Sequence, residues 1–386
     1  MKQLSKMMIV ALAAIALAAP AYAWDFSASG SASAQWSSSS IKADKDTDVA
    51  TSQAVADSGG AISIVSSHTD GGKSVTLTYK IDYDGGLDEG LTLTGSSKVG
   101  NWTASATTNH QKLNNGAPAT GEDETNISLT DGTMTIVLGG AGHLSSQNVS
   151  SGSVAGGDSI NMDQATGDYN VGAYVGTFKG VSLGYKVNDT TSVTVALQFT
   201  SSDNDSLGVP STFIDGETAS YGSTGNGVGL STVAGPATIG FTYASANSVD
   251  QSAGGKGTAK TTLTTMGLGV KLDLGDIDPF LSYGSATAKG GTGWKSDIAA
   301  SEFGLTYALG SDSVVLFLGN SEHKSTSAAG VAGEPDKWSA MEVGYTTAVG
   351  PATLGVGYGS LTKAQTDATH DGYSASYMEV QLDFSF

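Results

Sequence analysis

Three aspartates at alternate positions, Asp44, Asp46 and Asp48, offer closely spaced oxygen ligands of the kind that hold hard cations. Counting from Asp44, the sixth and twelfth positions are Val49 and Val55, where an EF-hand loop needs Gly and a bidentate Glu. The run is therefore not an EF-hand, and loose divalent binding and a merely solvated acidic loop both stay open. Gly180-Val181-Ser182-Leu183-Gly184 has the spacing of a nucleophile elbow, which requires a sharp strand-to-helix turn. Ser182 instead stands in an alternating run that continues through Tyr185 and Val187, which predicts a strand rather than an elbow. Gly225, Gly227 and Gly229 precede no helical pattern, so they form no dinucleotide site. His68, His110, His143, His323 and His370 have neither H-x-x-x-H nor H-E-x-x-H spacing. The residues thus point to no cofactor and away from enzyme catalysis.

Two absences narrow the chemistry further. There is no Cys, which excludes disulfides and thiolate metal sites. There is no Arg either, since every one of the 18 basic residues is Lys, so bidentate carboxylate and phosphate forks cannot be built. Acids number 37, and the strong negative balance argues against nucleic acid as a partner while favouring cations.

The elements that must position these residues have a period of two. Val75, Leu77, Tyr79, Ile81 and Tyr83 alternate with Thr76, Thr78, Lys80 and Asp82. Val181, Leu183, Tyr185 and Val187 alternate with Ser182, Gly184 and Lys186, and the same pattern recurs at 193–199, 266–274 and 303–309. Each run predicts a strand with one apolar face and one polar or small face. Further strand candidates continue to Tyr377–Phe386, and no comparable window has a helical period. Ala61–His68 and the stretch from Asn188 to Gly227 are the ambiguous ones. The count falls near sixteen strands, with 14 and 18 open by the even-number rule for single-chain barrels. Asp131-Gly132, Gly235-Pro236, Gly275-Asp276, Gly310-Ser311 and Gly350-Pro351 mark short turns. Long polar segments alternate with them, among them Ser37–Gly60, Ala286–Ala300 and Asn320–Lys337.

Residues 1–23 have the form of a secretory signal peptide: Lys2 and Lys6, an apolar run from Met7 to Ala19, then Pro20-Ala21-Tyr22-Ala23. The apolar run is shorter than the roughly 20 residues a spanning helix needs. Cleavage would leave residues 24–386 as one domain with 16 basic and 37 acidic residues, a net charge of −21. Strands with a single apolar face each fit a barrel in lipid, with that face outward and polar side chains in water. The expected fold is an all-β transmembrane antiparallel barrel with short periplasmic turns and long extracellular loops. Trp24, Phe26, Trp36, Tyr83, Trp102, Tyr243 and Phe384 stand near strand ends, where amphipathic rings favour a membrane interface. The chain ends Met378-Glu379-Val380-Gln381-Leu382-Asp383-Phe384-Ser385-Phe386. That ending resembles the sorting strand of outer-membrane barrels, with Phe384 and Phe386 as the signal read by the assembly machinery.

Two near-repeats, Gly235-Pro236-Ala237-Thr238-Ile239-Gly240-Phe241-Thr242-Tyr243 and Gly350-Pro351-Ala352-Thr353-Leu354-Gly355-Val356-Gly357-Tyr358, resemble turn-and-strand segments of the Gram-negative porin superfamily. Gly132–Gly139 resembles the strand before the porin constriction loop, and Phe178–Tyr185 the strand after it. The resemblance implies a 16-stranded, homotrimeric channel in the outer membrane for passive diffusion of ions and small hydrophilic solutes. An outer-membrane location brings contact with outer-membrane lipid and lipopolysaccharide, and a divalent cation held loosely by the oxygens of Asp44, Asp46 and Asp48 would bridge to the latter. The resemblance also implies a pore-constricting loop at about 140–169, carrying Asp158, Asp163 and Asp168. The usual Arg cluster opposite such a loop is absent here. Parity places Lys80, Asp82, Lys186, Lys271, Asp273, Glu302, Glu342, Glu379 and Asp383 on polar faces as pore-lining candidates. An acid-lined pore predicts weak cation selectivity. A substrate-specific channel, and a structural or adhesive barrel without significant conductance, stay open as alternatives.

Overall fold

The computed structural model describes residues 24–43, 49–83, 87–114, 117–118, 124–141, 178–200, 221–250, 260–290, 293–333, 335–364 and 372–386. In chain order its strands are β1 (Asp25–Ala43), β2 (Ala50–Asp70), β3 (Lys73–Tyr83), β4 (Leu87–Val99), β5 (Trp102–Asn114) and β6 (Ala117–Pro118). Next come β7 (Glu124–Thr130), β8 (Met134–Ala141), β9 (Phe178–Lys186), β10 (Thr191–Thr200), β11 (Tyr221–Ala234) and β12 (Ala237–Asp250). The last are β13 (Lys260–Leu272), β14 (Ile277–Gly290), β15 (Lys295–Leu309), β16 (Asp312–Thr326), β17 (Asp336–Val349), β18 (Ala352–Ala364) and β19 (Tyr373–Ser385). β6 is a two-residue piece, and the other eighteen strands reach the upper end of the range left open by the sequence. The strands form one antiparallel sheet in which β1 pairs with both β2 and β19, the strand order of a closed barrel. No described helix is long and apolar enough to cross a membrane.

The chain divides into two compact units. One comprises the described residues up to Ser33, Asp57–Gly132 and Phe384–Phe386. Within it the hairpins register as Leu77↔Leu93 and Gly95↔Ala106, and β5 pairs with β7 at Ala106↔Ile127. Gly30 and Phe386 exchange both backbone hydrogen bonds, at 2.8 and 2.9 Å, which ties the C-terminal residue to β1. The Phe386 ring lies where a Cβ on residue 30 would stand, so a larger residue there would displace the ring from the strand.

The other unit comprises Ala34–Ala56 and Thr133–Asp383. It is a run of hairpins from β8 to β19. Gly235 and Gly350, with φ of 59° and 62°, open two-residue turns between Ala234↔Ala237 and Val349↔Ala352. Positive φ at the first turn position is what a type II′ hairpin needs, which accounts for the shared Gly-Pro of the two near-repeats.

Strands run past the boundaries expected from hydrophobic alternation. Residues 286–300 and 320–337, read as loops from the sequence, are largely β14, β15, β16 and β17. Ala61–His68 lies inside the 21-residue β2, and the ambiguous 188–227 stretch holds β10 and the start of β11. Alternation marks only the part of a strand facing an apolar medium. Backbone pairing continues beyond it, where both faces are polar.

Candidate functional site

Large apolar side chains are exposed and polar ones are buried, which inverts the arrangement of a soluble domain. In the second unit Leu281, Tyr283, Phe303, Leu318, Met341, Val343 and Tyr358 face outward. Their strand neighbours of opposite parity include Ser282, Glu302, Ser321 and Glu342, all buried. On β17 the exposed apolar column runs from Met341 to Val349, nine residues, matching the 9–11 that a tilted spanning strand requires. The first unit repeats the division, with Ile62, Val75, Leu93, Ile127 and Leu129 exposed on one face.

The polar face of the second unit carries carboxylates. Glu302, Glu342 and Glu379 are 3 %, 6 % and 0 % exposed. Ser282, the cross-strand partner of Glu302, donates to Glu302 Oε2 at 2.9 Å. Gln35 Nε2 donates to the Tyr377 hydroxyl at 2.8 Å, and that hydroxyl donates to Glu379. Gln381 Nε2 donates to Asp383 Oδ1 at 2.7 Å on the same strand face. Buried carboxylates persist where such donors replace water.

The remaining sequence candidates divide plainly. Lys80 and Asp82 pair with each other on the face opposite Val75. Lys186 shares the face of Ser182, opposite the exposed Leu183 and Tyr185. Lys271 shares the face of Thr265 and stands 4.0 Å from Asp278. Asp273 departs from its expectation. It lies past the end of β13 in the turn, where its Oδ1 accepts the Gly275 N–H at 3.2 Å, because a short acid satisfies a turn donor locally. Asp158, Asp163 and Asp168 lie outside the described residues, as do Asp44, Asp46 and Asp48. The two strands flanking the 142–177 segment pair directly, with Gly139↔Gly180 and Ala141↔Phe178, so the segment leaves and re-enters at adjacent places on the sheet. Ser182 is mid-strand, opposite Val137 and Ala196, so no elbow forms around it.

Sequence reasoning missed an aromatic strip on this polar face. Phe317 is buried with Ala340 and Leu361, and Phe280, Trp338 and Tyr373 pack around them. Phe280 and Phe317 have ring centroids 6.4 Å apart, and Trp338 meets Tyr373 edge-on at 5.6 Å. The Lys363 ammonium sits 5.0 Å above the Trp338 ring, within cation–π range. Parity held the signal: Phe317 and Trp338 have the phase of Glu302 and Glu342 on their paired strands, not of Leu318 and Met341. Glu89 was missed too. It is buried beside Ile81 and accepts a hydrogen bond from Tyr79, whose hydroxyl needs a partner when buried.

At the strand ends, Trp24 stacks on His68 with centroids 5.3 Å apart, and Phe384 lies 5.9 Å from Phe386. Trp24, Phe26, Tyr243, Phe384 and Phe386 are exposed.

Solved structures share this architecture over nearly the whole chain. An anion-selective porin from Comamonas acidovorans superposes with a TM-score of 0.54 at 13 % identity, covering 94 % of this chain and 100 % of that one. The outer-membrane channel DcaP of Acinetobacter baumannii gives 0.54 at 14 % identity, over 94 % and 97 %. OmpT of Vibrio cholerae, expressed in the outer membrane, gives 0.52 at 10 % identity, over 94 % and 98 %. The chain has the porin fold. No family model matches the sequence, and no curated protein does. The porin fold therefore comes here with little shared sequence: its recurring content is the face inversion, which needs residue classes rather than residue identities.

Proposed function

We propose that this chain is an outer-membrane porin of a Gram-negative bacterium, a passive diffusion channel for ions and small hydrophilic solutes with weak cation selectivity. The observation that carries the reading is the inverted wall, with Glu302, Glu342 and Glu379 buried on the face opposite exposed Phe303, Met341 and Met378. Carboxylates on a water-facing wall attract cations and repel anions. A chain without Arg has no guanidinium fork with which to reverse that sign. The remaining parts of the proposal follow the resemblance: an exported chain with residues 1–23 removed, a homotrimer, and Phe384 and Phe386 read by the assembly machinery. The segment from 140 to 169 narrows the channel with Asp158, Asp163 and Asp168. The first neighbour described above is an anion-selective porin, so the fold is compatible with either sign and the side chains decide it.

A substrate-specific channel is the second reading, favoured by the strip of Phe280, Phe317, Trp338 and Tyr373 on the polar face. Rings there exchange water-filled wall for a surface that retains amphipathic solutes.

Single-channel recording of the purified protein in a planar bilayer under a KCl gradient tests both. Discrete steps with a cation-directed reversal potential are expected. Anion-directed reversal would overturn the selectivity, and correctly folded protein without steps would overturn the channel. Concentration-dependent block by one solute class would favour the second reading.

A further inference from the structure

The polar face of β16–β19 holds a cation already seated on an aromatic ring. Trp338 and Lys363 are cross-strand partners on β17 and β18, and the Lys363 ammonium lies 5.0 Å from the Trp338 ring centroid. Tyr373 meets the same ring edge-on, with centroids 5.6 Å apart and an interplanar angle of 81°. Phe317, Ala340 and Leu361 form the buried floor of this cluster. Trp338 and Tyr373 are half-exposed, so their rings stand at its edge rather than inside it.

Position on the wall sets the electrostatics. Phe317 is the cross-strand partner of Glu342, so a buried carboxylate shares the face of the rings. Trp338 is four residues before Glu342 on the same strand, about 13 Å at roughly 3.3 Å per residue. That is too far for the carboxylate to neutralise a cation on the Trp338 ring by contact. It is close enough to draw cations toward the ring in dilute salt, where the screening length is about 30 Å at 0.01 M. Ring faces attract cations through their quadrupole, and the gain grows when the cation loses water on arrival. A quaternary ammonium, whose methyl groups carry no N–H for water, gains ring attraction and apolar burial together.

We propose that Trp338, Tyr373 and Phe317 form a binding site for organic ammonium solutes, with Lys363 as its resident competitor. The solute ammonium takes the Trp338 face when Lys363 swings off it, a movement that the flexible four-carbon stem permits. The tethered ammonium then returns and expels the solute, so passage is slowed rather than stopped. This inference rests on the second channel reading above and names its solute class.

The test is a saturation-transfer NMR titration of choline on the refolded full-length mature barrel. The comparison is the uncharged alcohol in which carbon replaces the choline nitrogen. Wild type is expected to bind choline at least about threefold more tightly than the alcohol, the size of a cation–π contribution at a partly exposed ring. Trp338→Leu keeps apolar bulk and should remove that preference. Lys363→Met keeps the stem and removes the competitor, so choline should bind it about threefold more tightly than wild type. Tyr358→Leu, on the outward face, should change neither value. Equal binding of choline and the alcohol by wild type would overturn the proposal, since the site would then recognise apolar bulk alone. Unchanged or weaker choline binding by Lys363→Met would overturn it too, because Lys363 would then not compete. A preference kept by Trp338→Leu would place the cation elsewhere, with the same consequence. Conductance in KCl alone separates this inference from the channel: open steps without choline binding would sink the site and leave the channel, and choline binding without steps would do the reverse.

Discussion

The two units build the same inverted wall with different polar chemistry. In β3–β7 the polar face carries a ladder of hydroxyls, Ser74 with Ser96 at 2.6 Å, Thr94 with Thr107 at 3.0 Å and Ser105 with Ser128 at 2.6 Å, and beside it the paired, mutually neutralising Lys80 and Asp82. In β14–β19 it holds Glu302, Glu342 and Glu379 with a strip of aromatic rings. Hydroxyl pairs are neutral and satisfy one another across strands, so they keep a wall wet without giving it a sign. Buried carboxylates give it a sign and demand donors. The difference teaches that an inverted wall can be built with or without a charged polar face, and on the proposed function it predicts that ion selection depends on the second unit.

The largest effect expected is on the premise that both units share. Leu318→Lys and Leu93→Lys should each destabilise the folded barrel by about 2–4 kcal/mol, the cost of Lys near mid-membrane. Thr94→Lys, on the polar face, should cost far less. Urea unfolding in lipid vesicles reads the three values. A Leu93→Lys as mild as Thr94→Lys would break the comparison, because the first unit's apolar face would then not meet lipid.

Next is packing on the polar face. A Cβ at Gly304 would fall within the Phe280 ring, so Gly304→Val should cost about 1–3 kcal/mol, largely recovered by adding Phe280→Ala. Gly90, which pairs with Lys80 on the polar face of the first unit, has open space around it, and Gly90→Ala should change stability by less than about 1 kcal/mol. The same unfolding measurement compares them.

Selectivity sharpens the contrast further. Glu302→Gln, Glu342→Gln and Glu379→Gln combined should move the reversal potential most of the way to zero in dilute KCl. Ser74→Ala, Thr94→Ala and Ser105→Ala combined should leave it in place. The difference should shrink from 0.1 M to 1 M salt, as the screening length falls from about 10 Å to about 3 Å. The smallest effect is the hydroxyl ladder itself, where Ser74→Ala should cost about 0.5–1.5 kcal/mol of stability.

Much of this was legible in the sequence. Alternation found the strands and, Asp273 aside, identified which charged candidates lie opposite the exposed apolar side chains, because a one-residue slip would turn every apolar side chain to the other face. Asp273 was the exception, since parity extrapolated past Leu272 cannot see that the strand has ended. Strand ends were underestimated because pairing outlasts the apolar band, which is also why residues 286–300 and 320–337 looked like loops. The aromatic strip was hidden by treating all apolar side chains as outward, although Phe317 between Leu316 and Leu318 is out of phase with both. Glu379 accepts from Tyr377 two residues away, but the Gln35 amide that donates to that hydroxyl lies 342 residues from Tyr377, and no local pattern joins them.

The chain has no Cys, so a single introduced thiol reports one position without background. The most direct test is the single-channel current of Lys271→Cys, on the polar face with its side chain 52 % exposed, and of Leu268→Cys, on the apolar face, before and after a membrane-impermeant charged thiol reagent. The account predicts a stepwise change of conductance for Lys271→Cys and none for Leu268→Cys. No change at Lys271→Cys, or an equal change at both, would contradict a water-filled channel lined by the polar face.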